Sequence, residues 1–357
     1  MNVAALRQDL ALHSGPRSGD GSPTWTIQDP ARNRFFRLDW LTFEILCHWE
    51  LGVPAQIAAA VRRCTPLDAS EADVRQVERF LQGNELVMQV SPEHAANLAK
   101  AADANAKSLL LRLVHNYLFF RVPLLKPDRI LSTLLPATSW LFSRGFLFAT
   151  LLALAGGALL AWRQWDTFKN SLIDTFTPSG LASYAAALVL AKFLHELGHG
   201  LAARRAGCHV PSMGVAFMVL WPIPYTDVNE AWKLSDRWQR LFISTSGIAM
   251  ELVVAVWATL AWSVLPEGAL REIVFLLATT TWISTLLVNL SPFMRFDGYF
   301  ALSDVLGMPN LHARSFALAR WRLREVLFGL GDAAPENFTP VRQAGLIFFA
   351  CTVWVYR

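Results

Sequence analysis

The chain has 357 residues, 54% of them hydrophobic and only 17% charged, with 14 tryptophans and a net charge of +4. Soluble domains carry about 25% charged residues, so this balance points away from a globular enzyme and toward a membrane protein, and so small a positive excess gives no reason to expect nucleic acid. Cys47, Cys64, Cys208 and Cys351 are widely spaced with no CxxC pair, which excludes a disulfide framework.

The opening stretch, "MNVAALRQDLALHSGPRSGDGSPTW", has no apolar core followed by a cleavage site. No signal peptide is expected there, and the N-terminal region is expected to stay in the cytoplasm. Residues 1–100 are mixed and polar and read as a small α+β domain of winged-helix-like make-up. "TWTIQDPARNRFFRLD" gives two strand-like runs around Asp29, Pro30 and Asn33. Helices are expected over "DWLTFEILCHWE", capped by Asp39, over "VPAQIAAAVRR", and over "ASEADVRQVERFLQGNEL", capped by Ser70. "ELVMQV" reads as a returning strand. These helices carry no Lys/Arg stripe of the kind that marks a DNA-binding face.

Residues 101–138 mix apolar runs with Arg112, Arg121, Lys126, Arg129 and prolines. This pattern suits an amphipathic linker on the membrane interface or packed on the protein. From 139 to 357 long apolar stretches dominate: 146–162, 181–203, 241–265, 273–290 and the start of a fifth at 344–356. The expected fold is therefore mostly α: a polytopic α-helical membrane protein of about five transmembrane segments, the fifth read as cut short at Arg357, behind a small N-terminal domain. Lys and Arg are concentrated after the second span (Arg204, Arg205, Lys233, Arg237) and after the fourth (Arg295, Arg314, Arg320, Arg322). That bias places the N-terminus inside and the C-terminal ends of both spans on the cytoplasmic side. Between them, Tyr225 and Asp227 in "WPIPYTDVNEAW" belong to either a re-entrant strand or a surface loop.

The second span contains "KFLHELGHG", with Lys192, His195, Glu196 and His199 in an apolar helix. Ionisable groups at membrane depth mark a site unless they are paired structurally. Two histidines four apart share one helix face and can grip one cation, and the glutamate beside the first is placed to take a proton from an attacking water. Catalytic zinc takes three protein ligands, so one is missing. Asp297, in "NLSPFMRFDGYF" at the same end of the fourth span, is the candidate, against the simpler reading that it caps a helix. Glu251 lies within the third span, where it either hydrogen-bonds a ligating histidine or pairs with Lys192.

HExxH in one span and Asn-x-x-Pro…Asp-Gly in a later one resemble the site-2 protease family of intramembrane zinc metallopeptidases. The resemblance covers residues 139–357. It implies Zn²⁺ held by His195, His199 and Asp297, Glu196 as the catalytic base, and Asn289, eight residues before Asp297, near the substrate. It implies a peptide or transmembrane-protein substrate, a lipid environment, and a multi-pass protein of a bacterial inner or plasma membrane. The third span departs from the family's Gly-Pro-x-x-Asn pattern, reading "SGIAMEL" with Glu251 in place of a neutral residue. "FFRVPLLKPDRIL", "PYTDVNEAW" and "SPFMRFDGYFALSDVLGMPNL" are similar to a narrower branch with an N-terminal PqqD-like domain and often a C-terminal HlyD-type adaptor. That branch implies a leader peptide bound on residues 1–100 by strand addition, and an adaptor or export machinery as partner. Two other classes use the same residues: a catalytically idle peptide-binding scaffold, against which intact Glu196 argues, and a divalent-metal transporter, which would need several sites along a path.

Overall fold

The computed structural model describes residues 3–17, 21–30, 32, 34–88, 119–174, 178–218, 221–308, 310–336 and 338–357. They form two units, one made of Met1–Lys126 with Cys208–Asp236, the other of Pro127–Gly207 with Arg237–Arg357.

The first unit opens with three strands, β1 (Ala11–Ser14), β2 (Trp25–Asp29) and β3 (Arg34–Leu38), of which β2 and β3 carry the aromatic and β-branched residues that favour extended chain. They pair as an antiparallel sheet in the order β1-β2-β3, with Ile27 opposite both Leu12 and Phe36. β2 and β3 are the two expected runs, whereas β1 has too little alternation to read locally. The three expected helices follow: α1 (Trp40–Cys47), α2 (Pro54–Cys64) and α3 (Glu71–Gly83). Asp39 caps α1 by accepting from the Thr42 N–H, and Ser70 caps α3 in a reciprocal box with Asp73. Their apolar faces bury Ile45, Ile57, Val61, Val74 and Leu81 in one core, with Trp49, Leu86 and Val87 from the connecting segments. The expected strand at "ELVMQV" is reduced in its described part to a bridge between Val87 and Leu6; Gln89 and Val90 lie outside the described residues. Arg7 reaches from this edge to Asp29, which is almost fully buried, at 2.9 Å.

A second sheet sits in the same unit, where the linker was expected to lie on the interface. β4 (Phe119–Leu125), β5 (Met213–Met218) and β6 (Trp221–Thr226) pair antiparallel in that order, with Val122 opposite Val215 and Val215 opposite Pro224. Tyr225 is therefore a strand residue and not in a surface loop, and Asp227 follows the strand. The expected boundary at residue 100 lies outside the described residues, and the division falls between Lys126 and Pro127.

The second unit is helical. α4 (Asp128–Thr138) is followed by α5 (Arg144–Arg163), α6 (Trp165–Asp174) and α7 (Pro178–Arg205). α8 (Arg237–Val264) and α9 (Ala269–Ile283) come next, and α9 continues as a π-helical turn over Ser284–Asn289. α10 (Asp297–Leu306), α11 (Leu311–Phe328) and α12 (Pro340–Tyr356) complete it. α8 is the hub, packing on α5, α7, α9 and α10. Among the described residues, four stretches, Arg144–Arg163, Gly180–Arg205, Arg237–Val264 and Ala269–Asn289, are long and apolar enough to cross a membrane. α12, on the expected fifth span, is not among them. Leu147, Phe148, Leu151 and Leu152 on α5 and Val189 and Leu190 on α7 are exposed, a surface that water would not tolerate and hydrocarbon would.

Arg204 on α7 pairs with Asp128 on α4 at 3.2 Å, and Arg240 on α8 with Asp304 on α10 at 3.5 Å. Asp304 also accepts from Ser244, yet burial outweighs both partners and raises its carboxyl above the ordinary range.

Because Leu81 is fully buried in the N-terminal core, Leu81→Ala should cost about 2–5 kcal/mol there. Hydrogen–deuterium exchange on the full chain should show faster exchange across α1–α3 and unchanged protection in α8.

Candidate metal centre

α7 carries Lys192, His195 and His199 at spacings of three and four, so all three project from one face toward α8. His195 and His199 are buried, with their Nε2 atoms 3.2 Å apart. Asp297 is the first residue of α10 and not its cap, which is Phe296. Its Oδ2 lies 2.8 Å from His195 Nε2 and 3.1 Å from His199 Nε2. Burial disfavours charge on Asp297, but while the imidazoles of His199 and His195 carry their second protons, their charge and hydrogen bonds outweigh it and hold the carboxyl below the ordinary range; a metal ion would take the place of those protons.

Three ligand atoms thus meet at one point, and among the described residues this is the group with metal-holding geometry. Tetrahedral zinc with bonds near 2.0–2.1 Å sets its ligand atoms about 3.3 Å apart, so the observed spacings need only a slight opening. The outward-facing nitrogens fit the same chemistry. His199 Nδ1 is 2.8 Å from the Ile243 carbonyl oxygen, and His195 Nδ1 is 3.1 Å from Glu251 Oε1. Each histidine can therefore donate Nδ1–H outward and present a bare Nε2 lone pair inward, the tautomer that a metal requires. Ser246 Oγ, 3.3 Å from His199 Nδ1, donates to the same Ile243 carbonyl at 2.7 Å.

A glycine makes room for this point. A Cβ on Gly247 would sit against His199 Nε2 and 2.5 Å from His195 Nε2. Helix α8 crosses the ligands where it has no side chain. Sequence reasoning missed Gly247, although "SG" inside an apolar span was the available signal. Beside Asp297, a Cβ on Gly298 would meet the Leu290 carbonyl oxygen, so the chain folds tightly back between the π turn and α10. That fold returns Asp297 to α7 from 98 residues downstream of His199.

Glu196 follows His195 and is half-buried. Asn289 is buried, and its amide nitrogen donates to Glu251 Oε2 at 2.7 Å and lies 3.4 Å from His195 Nδ1. One donor of Asn289 is thus engaged inside the protein. The two readings of Glu251 hold together, since Lys192 Nζ also reaches Oε1 at 2.9 Å. Thr285, which sequence reasoning also missed, donates to Oε2 at 2.5 Å.

Residues 183–274 match Peptidase family M50. The matched stretch contains His195, Glu196, His199, Gly247 and Glu251, and stops short of Asp297. No curated protein and no solved structure matches the chain. The match supports a protease related to the site-2 proteases, a family that depends on zinc, and together with the four apolar helices it points to a membrane protein.

Alanine at 247 would favour the helix by roughly 1 kcal/mol on intrinsic propensity, yet its methyl group would displace the ligand nitrogens. Gly247→Ala should therefore lower bound zinc well below the wild-type ratio, measured by mass spectrometry of metal content, and, because buried rings must shift, should also cost the metal-free protein about 1–3 kcal/mol in stability.

Proposed function

We propose that the protein is a membrane-embedded zinc metalloendopeptidase that hydrolyses peptide bonds at or near the cytoplasmic face of a bacterial inner or plasma membrane. The observation that carries this reading is the meeting of His195, His199 and Asp297 beside Glu196, within and just beyond the segment matching Peptidase family M50. The donor set, two imidazoles and one carboxylate, is one that zinc favours in catalytic sites. When bound, zinc polarises a carbonyl and makes water acidic enough to attack it near neutral pH.

The chain's own residues do the rest. Glu196 accepts the proton of the attacking water and returns it to the leaving amine. His195, His199 and Asp297 fix the point of attack, and burial of the histidines excludes bulk water from it. A substrate helix must unwind locally, because a helical backbone keeps its carbonyls hydrogen-bonded and shielded. The Lys/Arg bias supports a cytoplasmic N-terminus, and the α+β composition of residues 1–100 supports a PqqD-like, winged-helix leader-peptide domain. In that setting the substrates are peptides undergoing maturation or export, with an HlyD-type adaptor as a partner. Transport of the metal is the weaker reading, since among the described residues one ligand group is present and not a series.

Glu196→Gln should keep about one zinc per chain and lower kcat on a fluorogenic peptide library by roughly 10²–10⁴, the usual contribution of a general base. Chelation of the wild type should abolish cleavage, and added zinc should restore it. A Glu196→Gln protein as active as wild type would end the mechanism.

A further inference from the structure

Glu251 is completely buried on α8, one helical turn beyond Gly247, and so lies beside the ligand set. Four side chains from other elements converge on its two oxygens. Lys192 Nζ at 2.9 Å and His195 Nδ1 at 3.1 Å meet Oε1, while Thr285 Oγ1 at 2.5 Å and Asn289 Nδ2 at 2.7 Å meet Oε2. A carboxylate offers about four lone-pair directions, and here four donors take them up. Little is left for substrate or water, so this group is not a second base.

Its surroundings suit a fixed anchor. Thr285 and Asn289 are four apart, at the start and end of the π-helical turn, and both point at the same oxygen. Wide turns of this kind recur at functional sites because they re-aim side chains. Lys192 supplies the counter-charge that a buried carboxylate needs in an apolar bundle. Of the four partners only His195 also touches Asp297, so Glu251 reaches the metal point through that single imidazole.

We propose that Glu251 is the positioning carboxylate of the metal centre: by taking the Nδ1–H of His195 it holds the ring with Nε2 toward Asp297 and His199, and Lys192, Thr285 and Asn289 hold Glu251. The proposal rests on the zinc-peptidase reading above. It makes Asn289 a positioning residue acting through Glu251. It also separates two effects of one ion pair, since Lys192 balances charge while Glu251 both balances charge and orients a ligand.

The test uses full-length protein in detergent, with zinc affinity measured by competition against a chromophoric chelator. Cobalt serves as a second probe, through the visible spectrum of the substituted protein. Glu251→Gln should weaken zinc by about 10- to 100-fold, the usual cost of losing an outer partner of a ligating histidine, and should change the cobalt bands. Lys192→Met removes the counter-charge but leaves the His195 contact, so its zinc affinity should fall clearly less than that of Glu251→Gln and its cobalt spectrum should be unchanged. Should Glu251→Gln not fold, Glu251→Asp keeps charge opposite Lys192 while shortening the reach to His195, and it too should lose about tenfold or more in affinity. Equal losses in the glutamate and lysine variants would reduce the pair to a brace of the fold and overturn the proposal, as would wild-type affinity in Glu251→Gln. A wild-type protein that binds neither metal would overturn the peptidase reading itself, and this role with it.

Discussion

Everything in the helical unit turns on the contact between α7 and α8. Lys192, His195 and His199 would be prohibitively costly on an apolar helix if each faced hydrocarbon alone. The side of α8 that meets them answers each: Glu251 for Lys192 and His195, the Ile243 carbonyl and Ser246 for His199, and an empty place at Gly247 where the two imidazoles point. The back of each ring is held by a fixed partner, while both Nε2 atoms turn to one shared oxygen of Asp297, so that three ligand atoms converge on a single point.

The second constraint is how Asp297 arrives. α9 ends in a π turn, the chain reverses over seven residues, and α10 begins with the aspartate itself. The reversal is tight enough that Gly298 has no room for a side chain. The π turn just before it puts Thr285 and Asn289 on Glu251, so one irregular stretch, turn and reversal together, serves both the inner ligand and the outer carboxylate. α10 is in turn tied to the first turns of α8 through Asp304, Arg240 and Ser244.

Much of this was legible in the sequence, because the signals are local. The four apolar spans, the helix caps at Asp39 and Ser70, the His195–His199 spacing and the Asp-Gly pair can each be read within a dozen residues. What escaped is what depends on distant partners. β4 has no strand signature until β5 pairs with it from some ninety residues away, so its segment read as an interfacial linker. α6 falls in the gap between the first two expected spans, where the polar sequence suggests no buried face. Gly247 looks like any small residue in a membrane helix until the imidazoles across from it are known. Glu251 offered two partners that seemed alternatives, and a carboxylate with two oxygens accommodates both.

The division of polar groups between α7 and α8 also bears on how the chain enters a bilayer. Of the four candidate spans, the one holding the histidines is the least apolar, with mean hydropathy 1.2 against 1.9 for α5. It carries a lysine, a glutamate and two histidines, and leaves the insertion machinery before the helix that neutralises them has been synthesised. Alone, its charged residues disfavour the membrane by about 2.5–3.5 kcal/mol for each one near the helix centre. The face of α8 offsets that cost, through Glu251, the Ile243 carbonyl and Ser246, so the residues that build the metal point make α7 depend on α8 for its place among apolar helices.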